Sequence, residues 1–174
     1  NTDGGYTVVV AGSNVGLNAS VLVNDAAWDI DKSMSGHTEL HLTSDSYEGA
    51  NHVVKVTAGN QDNSGQAGGQ KFFSYNAPTV DPFLSTLVVG TAGSSSSVTV
   101  TGSNLGVLGP TVKLGDERLD LVSFTHSELE FFIPPGQGKN LVLEVNVSDQ
   151  LGYSVDSFSY IPPHITTASR LQGD

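Results

Sequence analysis

Side chains able to do chemistry are sparse in this chain, and their spacing limits what they could do. Carboxylates gather twice, at Asp25, Asp29 and Asp31 and again at Asp116, Glu117 and Asp120. A calcium site needs about six to eight oxygens converging on one point. Neither cluster has the spacing of a calcium loop, so both read as solvated loop charge. A glycosidase needs two carboxyl groups facing each other across a cleft, and a small β-domain offers little cleft. The five histidines are His37, His41, His52, His126 and His164. None stands in a His-x-x-x-His or His-Glu-x-x-His arrangement on a helix. His41 and His52 fall in strand-like runs and are expected as cross-strand neighbours, a surface pair rather than a metal site. His126-Ser127 lacks the Gly-x-Ser-x-Gly context of a nucleophile. The glycines sit in turns, not at a strand-to-helix junction that could cradle phosphate. The expectation is a protein with no catalytic residues, no metal site and no cofactor.

Other residues could carry modification or contact. Asn18-Ala19-Ser20 and Asn146-Val147-Ser148 are acceptor triplets for N-glycans if the protein is secreted by a eukaryote. Leu141, Leu143, Val145 and Val147 alternate, which puts Asn146 on the outward face. Ser94 to Ser97 reads as a flexible loop that could also take O-glycans. Trp28, the only tryptophan, is expected in a core rather than as a sugar-stacking platform. Phe72-Phe73 and Phe131-Phe132 place adjacent rings on opposite faces, so one ring of each pair should point outward and could meet a neighbour.

The bulk numbers exclude whole classes of partner. The 174 residues carry a formal net charge of −11 and only seven Lys and Arg. Phosphate neutralisation relies on those cations, so nucleic acid and anionic membrane are not expected partners. The acidity reads as solubility of an exposed surface. The absence of cysteine removes disulfides, thiolate zinc sites and cysteine catalysis. No stretch approaches the roughly 18 apolar residues of a membrane-spanning helix, so membrane insertion is not expected.

The elements that must position these residues are strands. Tyr6 to Val10, Val21 to Val23, Glu39 to Leu42, His52 to Val56 and Lys71 to Tyr75 are short β-rich runs separated by Gly, Asn, Asp and Ser. That rhythm predicts an all-β sandwich. It also repeats. Val10-Ala11-Gly12-Ser13-Asn14-Val15-Gly16 recurs as Val100-Thr101-Gly102-Ser103-Asn104-Leu105-Gly106. Thr38 to Leu42 is answered by Ser127 to Phe131, Val54 to Gln61 by Leu143 to Gln150, and Phe73-Ser74-Tyr75-Asn76-Ala77-Pro78 by Phe158-Ser159-Tyr160-Ile161-Pro162-Pro163. The offset stays between 85 and 91 residues, which indicates two copies of one fold.

Strand-Gly-Ser-Asn-x-Gly, then the Pro-Pro-Gly-x-Gly turn of Pro134 to Gly138, then Phe-x-Tyr followed by proline, resembles the IPT/TIG domain (immunoglobulin-like, plexin, transcription factor). The resemblance implies an all-β chain of two tandem immunoglobulin-like β-sandwich domains, from an extracellular or cell-surface protein, with no catalytic residues. The second copy fits the pattern well. The first departs from it: Ser46-Tyr47-Glu48-Gly49 replaces the Pro-Pro-Gly turn, and a Gly- and Gln-rich stretch from Asn60 to Gln70 lengthens its last hairpin.

The expected organisation is a first domain over residues 1–76 without its leading strand, a second over 77–163, and a segment 164–174 that resembles the missing strand. If Asp174 is joined on paper to Asn1, Pro163 lies 23 residues before Gly12, as Pro78 lies 24 before Gly102. His164, Ile165, Thr166, Thr167 and Leu171 are therefore candidate assembly residues, pairing with a following repeat or with another copy by strand addition. The functional expectation is a structural repeat of a fibre, stalk or surface filament, whose partners are copies of itself or neighbouring repeats, with possible glycans. The alternative is an adhesion, receptor or carbohydrate-binding module.

Overall fold

Alternation decides the elements. In Glu39–Thr43 residues 40 and 42 are buried, and in Leu143–Val147 residues 143, 145 and 147 are buried, while their neighbours face outward. The computed structural model describes residues 1–65 and 70–169. The first domain contains β1 (Thr7–Ala11), β2 (Ser20–Val23), β3 (Ala26–Ile30), β4 (Glu39–Thr43), β5 (His52–Ala58), β6 (Gln61–Asp62) and β7 (Lys71–Phe73). The second contains β8 (Thr79–Val80), β9 (Val98–Ser103), β10 (Thr111–Leu114), β11 (Glu117–Leu119), β12 (Leu121–Phe124), β13 (Glu128–Phe131), β14 (Leu143–Val147) and β15 (Gln150–Tyr153). Within the Gly- and Gln-rich insertion, residues 66–69 lie outside the described residues.

The second domain is a two-layer sandwich, with strand orders β11-β10-β14-β15 and β12-β13-β9-β8. In the first domain the layers are continuous, in the order β1-β4-β3-β2-β5-β6, with β7 also on β5. The difference lies in one strand. Residues 26–28 of β3 pair with β2, and Asp29 and Ile30 pair with β4, so β3 crosses from one layer to the other. In the second domain the matching stretch breaks at Asp120 into β11 and β12. The β2–β3 turn is set by Asn24 and Asp25, both at positive φ (50° and 66°), the geometry of a tight two-residue hairpin.

Each domain has its own core. One is built on Val21, Trp28, Leu40, Leu42 and Tyr75, the other on Val100, Leu129, Phe131, Leu143 and Phe158. Trp28 is a core residue, as expected. Phe73–Tyr75 and Phe158–Tyr160 meet edge to face at 5.0 and 4.8 Å. Phe72 and Phe132 point outward.

His41 and His52 are not cross-strand neighbours. β3 and β2 lie between β4 and β5 in the sheet, because the chain leaves β4 for the opposite layer instead of turning back beside it. His41 lies by Glu39, at 3.4 Å, and the Nε2 of His52 is hydrogen-bonded to the carbonyl of Glu48, at 2.9 Å.

Candidate functional site

The joint between the domains holds a group of buried polar residues from both. After β9 the chain turns through Asn104 (φ 57°) and Gly106 (φ 98°). Successive left-handed or glycine residues aim backbone N–H groups into one hollow, a natural anion cradle. The N–H groups of Val107 and Leu108 donate to Oε2 of Glu48 at 2.7 and 3.0 Å. The Ser148 hydroxyl donates to Oε1 at 2.9 Å. Glu48 is only 3% exposed, and the cradle offsets the cost of burying its charge. A side chain on Gly106 would meet the carboxylate at 3.1 Å, so glycine there leaves room for it.

Four further contacts surround this clamp. The Thr2 N–H donates to Oδ1 of Asn104 at 3.1 Å, and Nδ2 of Asn104 donates to the Ala77 carbonyl at 3.3 Å. Gln150 donates from Nε2 to the Tyr75 carbonyl at 3.0 Å, and His126 lies 3.7 Å from Asp3. The loop carrying Glu48 is itself pinned. The Tyr47 N–H donates to the Thr2 carbonyl, the Tyr75 N–H to the Gly49 carbonyl, and the Tyr75 hydroxyl to the Asp45 carbonyl at 2.8 Å. Sequence reading found this loop only as a departure from the Pro-Pro-Gly pattern and gave Glu48 no role.

Burial pushes the Tyr75 phenol up to about 12, with the Asp45 charge and Tyr47 adding to the shift. Tyr160 is raised by burial and by Glu117. The unfolded chain loses these protons near pH 10 while the folded protein keeps them. Stability from this source is therefore complete below about pH 10 and declines as pH rises toward about 12. Thermal melts across that range should show Tyr75→Phe losing less stability with rising pH than the natural protein.

A second feature lies on the other side of the same loop. A hollow of about 290 Å³ is lined by Asn24, Trp28, Asp45, Tyr47, His52 and Tyr75 among others. Trp28 and Tyr75 are nearly buried, and Tyr47, 38% exposed, supplies the accessible ring.

The residues singled out from sequence are scattered. Asn18 is exposed, in the loop after β1. Asn146 is on the outward face but half-buried, flanked across the ladders by Thr111 and Leu151, and its Oδ1 accepts the Asp149 N–H at 3.0 Å. His164, Ile165, Thr166 and Thr167 run exposed past Pro162-Pro163, and Leu171 lies outside the described residues. In the acidic clusters, Asp31 accepts the Ser33 hydroxyl and N–H, which hold its carboxyl below the usual range. Among the described residues no group of three or more His, Asp or Glu side chains is placed to hold a metal ion.

The profile of the IPT/TIG domain matches residues 82–160. The chain carries an IPT/TIG domain. That IPT/TIG domain supplies the cradle side of the joint, and the sandwich before it supplies the glutamate. Among solved structures, the chain is similar to the surface glycan-binding protein PbSGBP-B from Prevotella bryantii, with a TM-score of 0.51 at 18% identity over 85% of this chain and 35% of that one. It is also similar to the extracellular region of plexin A4 (TM-score 0.46, 17% identity, 92% of this chain and 17% of that one). A third is an SGBP-B from a xyloglucan utilization locus of Bacteroides uniformis (TM-score 0.36, 14% identity, 91% and 46%). At such identities the likeness is one of fold, and the chain spans less than half the length of each of these proteins. No curated protein matches the chain.

Proposed function

We propose that the pair is a non-catalytic spacer of an extracellular or cell-surface protein, a structural repeat that holds whatever it joins at a fixed angle. The buried Glu48 carboxylate is the observation that carries this reading. A flexible linker has no need of a charge taken out of water and fitted with three donors from the next domain. The proline at position 78 stiffens the same junction. Backbone NMR relaxation tests it: both domains should share one rotational correlation time, and two distinct times would refute the spacer.

The aromatic hollow favours a second reading, a carbohydrate contact on the first domain. Tyr47 would stack on a sugar face, with Asn24 and Asp45 at hand for its hydroxyls. PbSGBP-B, which shares the fold, is named as a surface glycan-binding protein. Titration with a panel of soluble glucans should then show binding that Tyr47→Ala abolishes, and no binding by the natural protein would dismiss this reading.

Asn18 is the better glycan acceptor of the two triplets. Its side chain is exposed, whereas Asn146 is half-buried and holds a turn. Mass spectrometry of protein secreted from a eukaryotic host should find Asn18 occupied well above Asn146.

A further inference from the structure

The joint between the domains shows how the segment after a Phe-x-Tyr strand adds to the first strand of the next sandwich. Thr79 and Val80 pair with Ser103 and Gly102 at the edge of β9, and the Asp81 N–H donates to the Thr101 carbonyl at 3.0 Å. Val80 is 5% exposed and belongs to the second core. A side chain on Gly102 would overlap the Thr79 carbonyl oxygen, so glycine is required where this leading strand crosses.

The first domain has the same acceptor, and among the described residues it is open. β1 matches β9 but pairs only with β4. Asn14 (φ 58°) repeats the turn of Asn104 (φ 57°). The Gly12 N–H donates to Thr38 and the Val15 N–H to His37, as Gly102 and Leu105 do to Ser127 and His126. A side chain on Gly12 would meet only the Val15 side chain, at 3.1 Å, and no backbone. Val10 is half-buried where its counterpart Val100 is fully buried, so the first core is uncovered at the place where Val80 closes the second. Gln61 stands where Gln150 clasps the junction.

The segment after Pro162-Pro163 carries the matching donor. From the Phe-x-Tyr strand onward, His164 and Ile165 occupy the positions of Thr79 and Val80. Ile165 is 82% exposed, whereas Val80 is buried. Gln137 stands before Gly138 as Glu48 stands before Gly49.

We propose that His164 and Ile165 of one copy add as a strand to the open edge of β1 in a second copy, His164 opposite Ser13 and Ile165 opposite Gly12. Ile165 then covers the first core beside Val10. The contact joins unlike surfaces, so it propagates head to tail instead of closing a dimer. Asn18 tolerates a glycan in this joint, because its counterpart Leu108 stays 63% exposed at the formed one. The inference rests on the spacer reading and names its partner as another copy of the chain.

Sedimentation velocity over a wide concentration range tests it, comparing the natural chain with Gly12→Ala and Ile165→Asp. The natural chain should associate without a fixed upper size. Each variant should weaken association by about tenfold or more while nearly keeping the melting transition of the natural monomer, since a Cβ at Gly12 meets only the Val15 side chain and Ile165 faces solvent. A peptide of residues 161–169 added in trans should compete and raise the melting temperature of the first domain. A natural chain that stays monomeric, a closed dimer, or variants that associate as well as the natural chain would each overturn the inference. A single correlation time with no association refutes strand addition and leaves the spacer standing; two correlation times refute the spacer itself.

Discussion

Glu48→Ala should uncouple the two domains while leaving both folded. The substitution removes the acceptor from two part-buried backbone N–H groups and a hydroxyl, those of Val107, Leu108 and Ser148. Hydrogen bonds to a charged group are worth about 1.5–3 kcal/mol each, and a buried donor left without a partner costs about 1–3 kcal/mol. Water entering the vacated space recovers part of that, so the docked arrangement should lose about 2–4 kcal/mol. Neither core contains Glu48. Small-angle scattering should therefore broaden from one arrangement of the two domains to a hinged ensemble. Amide exchange should accelerate at Val107 and Leu108 and stay slow in β14. Glu48→Gln should fall between, since the amide oxygen still accepts but without charge. Unchanged scattering and exchange in Glu48→Ala would mean that the prolyl link and the remaining contacts of the joint set the angle without the clamp.

Phe158→Ala should have the largest effect on stability. Phe158 is fully buried and edge to face with Tyr160, and its backbone exchanges two hydrogen bonds with Leu141, each 2.8 Å. Truncating a buried phenylalanine costs about 3–5 kcal/mol. The loss should be confined to the second core. Trp28, the only tryptophan, is in the first core, so its fluorescence melt should move far less than the calorimetric transition of the second domain. Equal shifts by both probes would show that the clamp makes the domains unfold as one unit.

The fold was largely legible because its determinants are local and repeated. Alternation at Leu40 and Leu42, or at Leu143, Val145 and Val147, states which face is inward. The Gly-Ser-Asn-x-Gly turn states where each first strand ends, and its recurrence states that there are two. The joint was not legible, for a physical reason. Glu48 is bound by main-chain N–H groups, which every residue but proline possesses, so nothing in the letters Val107 and Leu108 announces a carboxylate site. The only sign was that residues 46–49 break the pattern held at Pro134 to Gly138. His41 and His52 were misplaced because strand alternation carries no information on which strands are neighbours. Asn146 was given the right face, but alternation cannot tell that Thr111 and Leu151 crowd it from both sides.

Because the cradle recognises main chain, its two halves answer to different rules of substitution. Positions 107 and 108 can drift among all residues except proline without touching the contact, and their side chains are free to serve other ends. Position 48 has no such freedom, because it must supply a carboxylate of that length, and position 106 must stay glycine. Relatives that keep the joint should then be recognisable by an acidic residue in the loop after the fourth strand and a glycine after the Asn turn, with little in common between them.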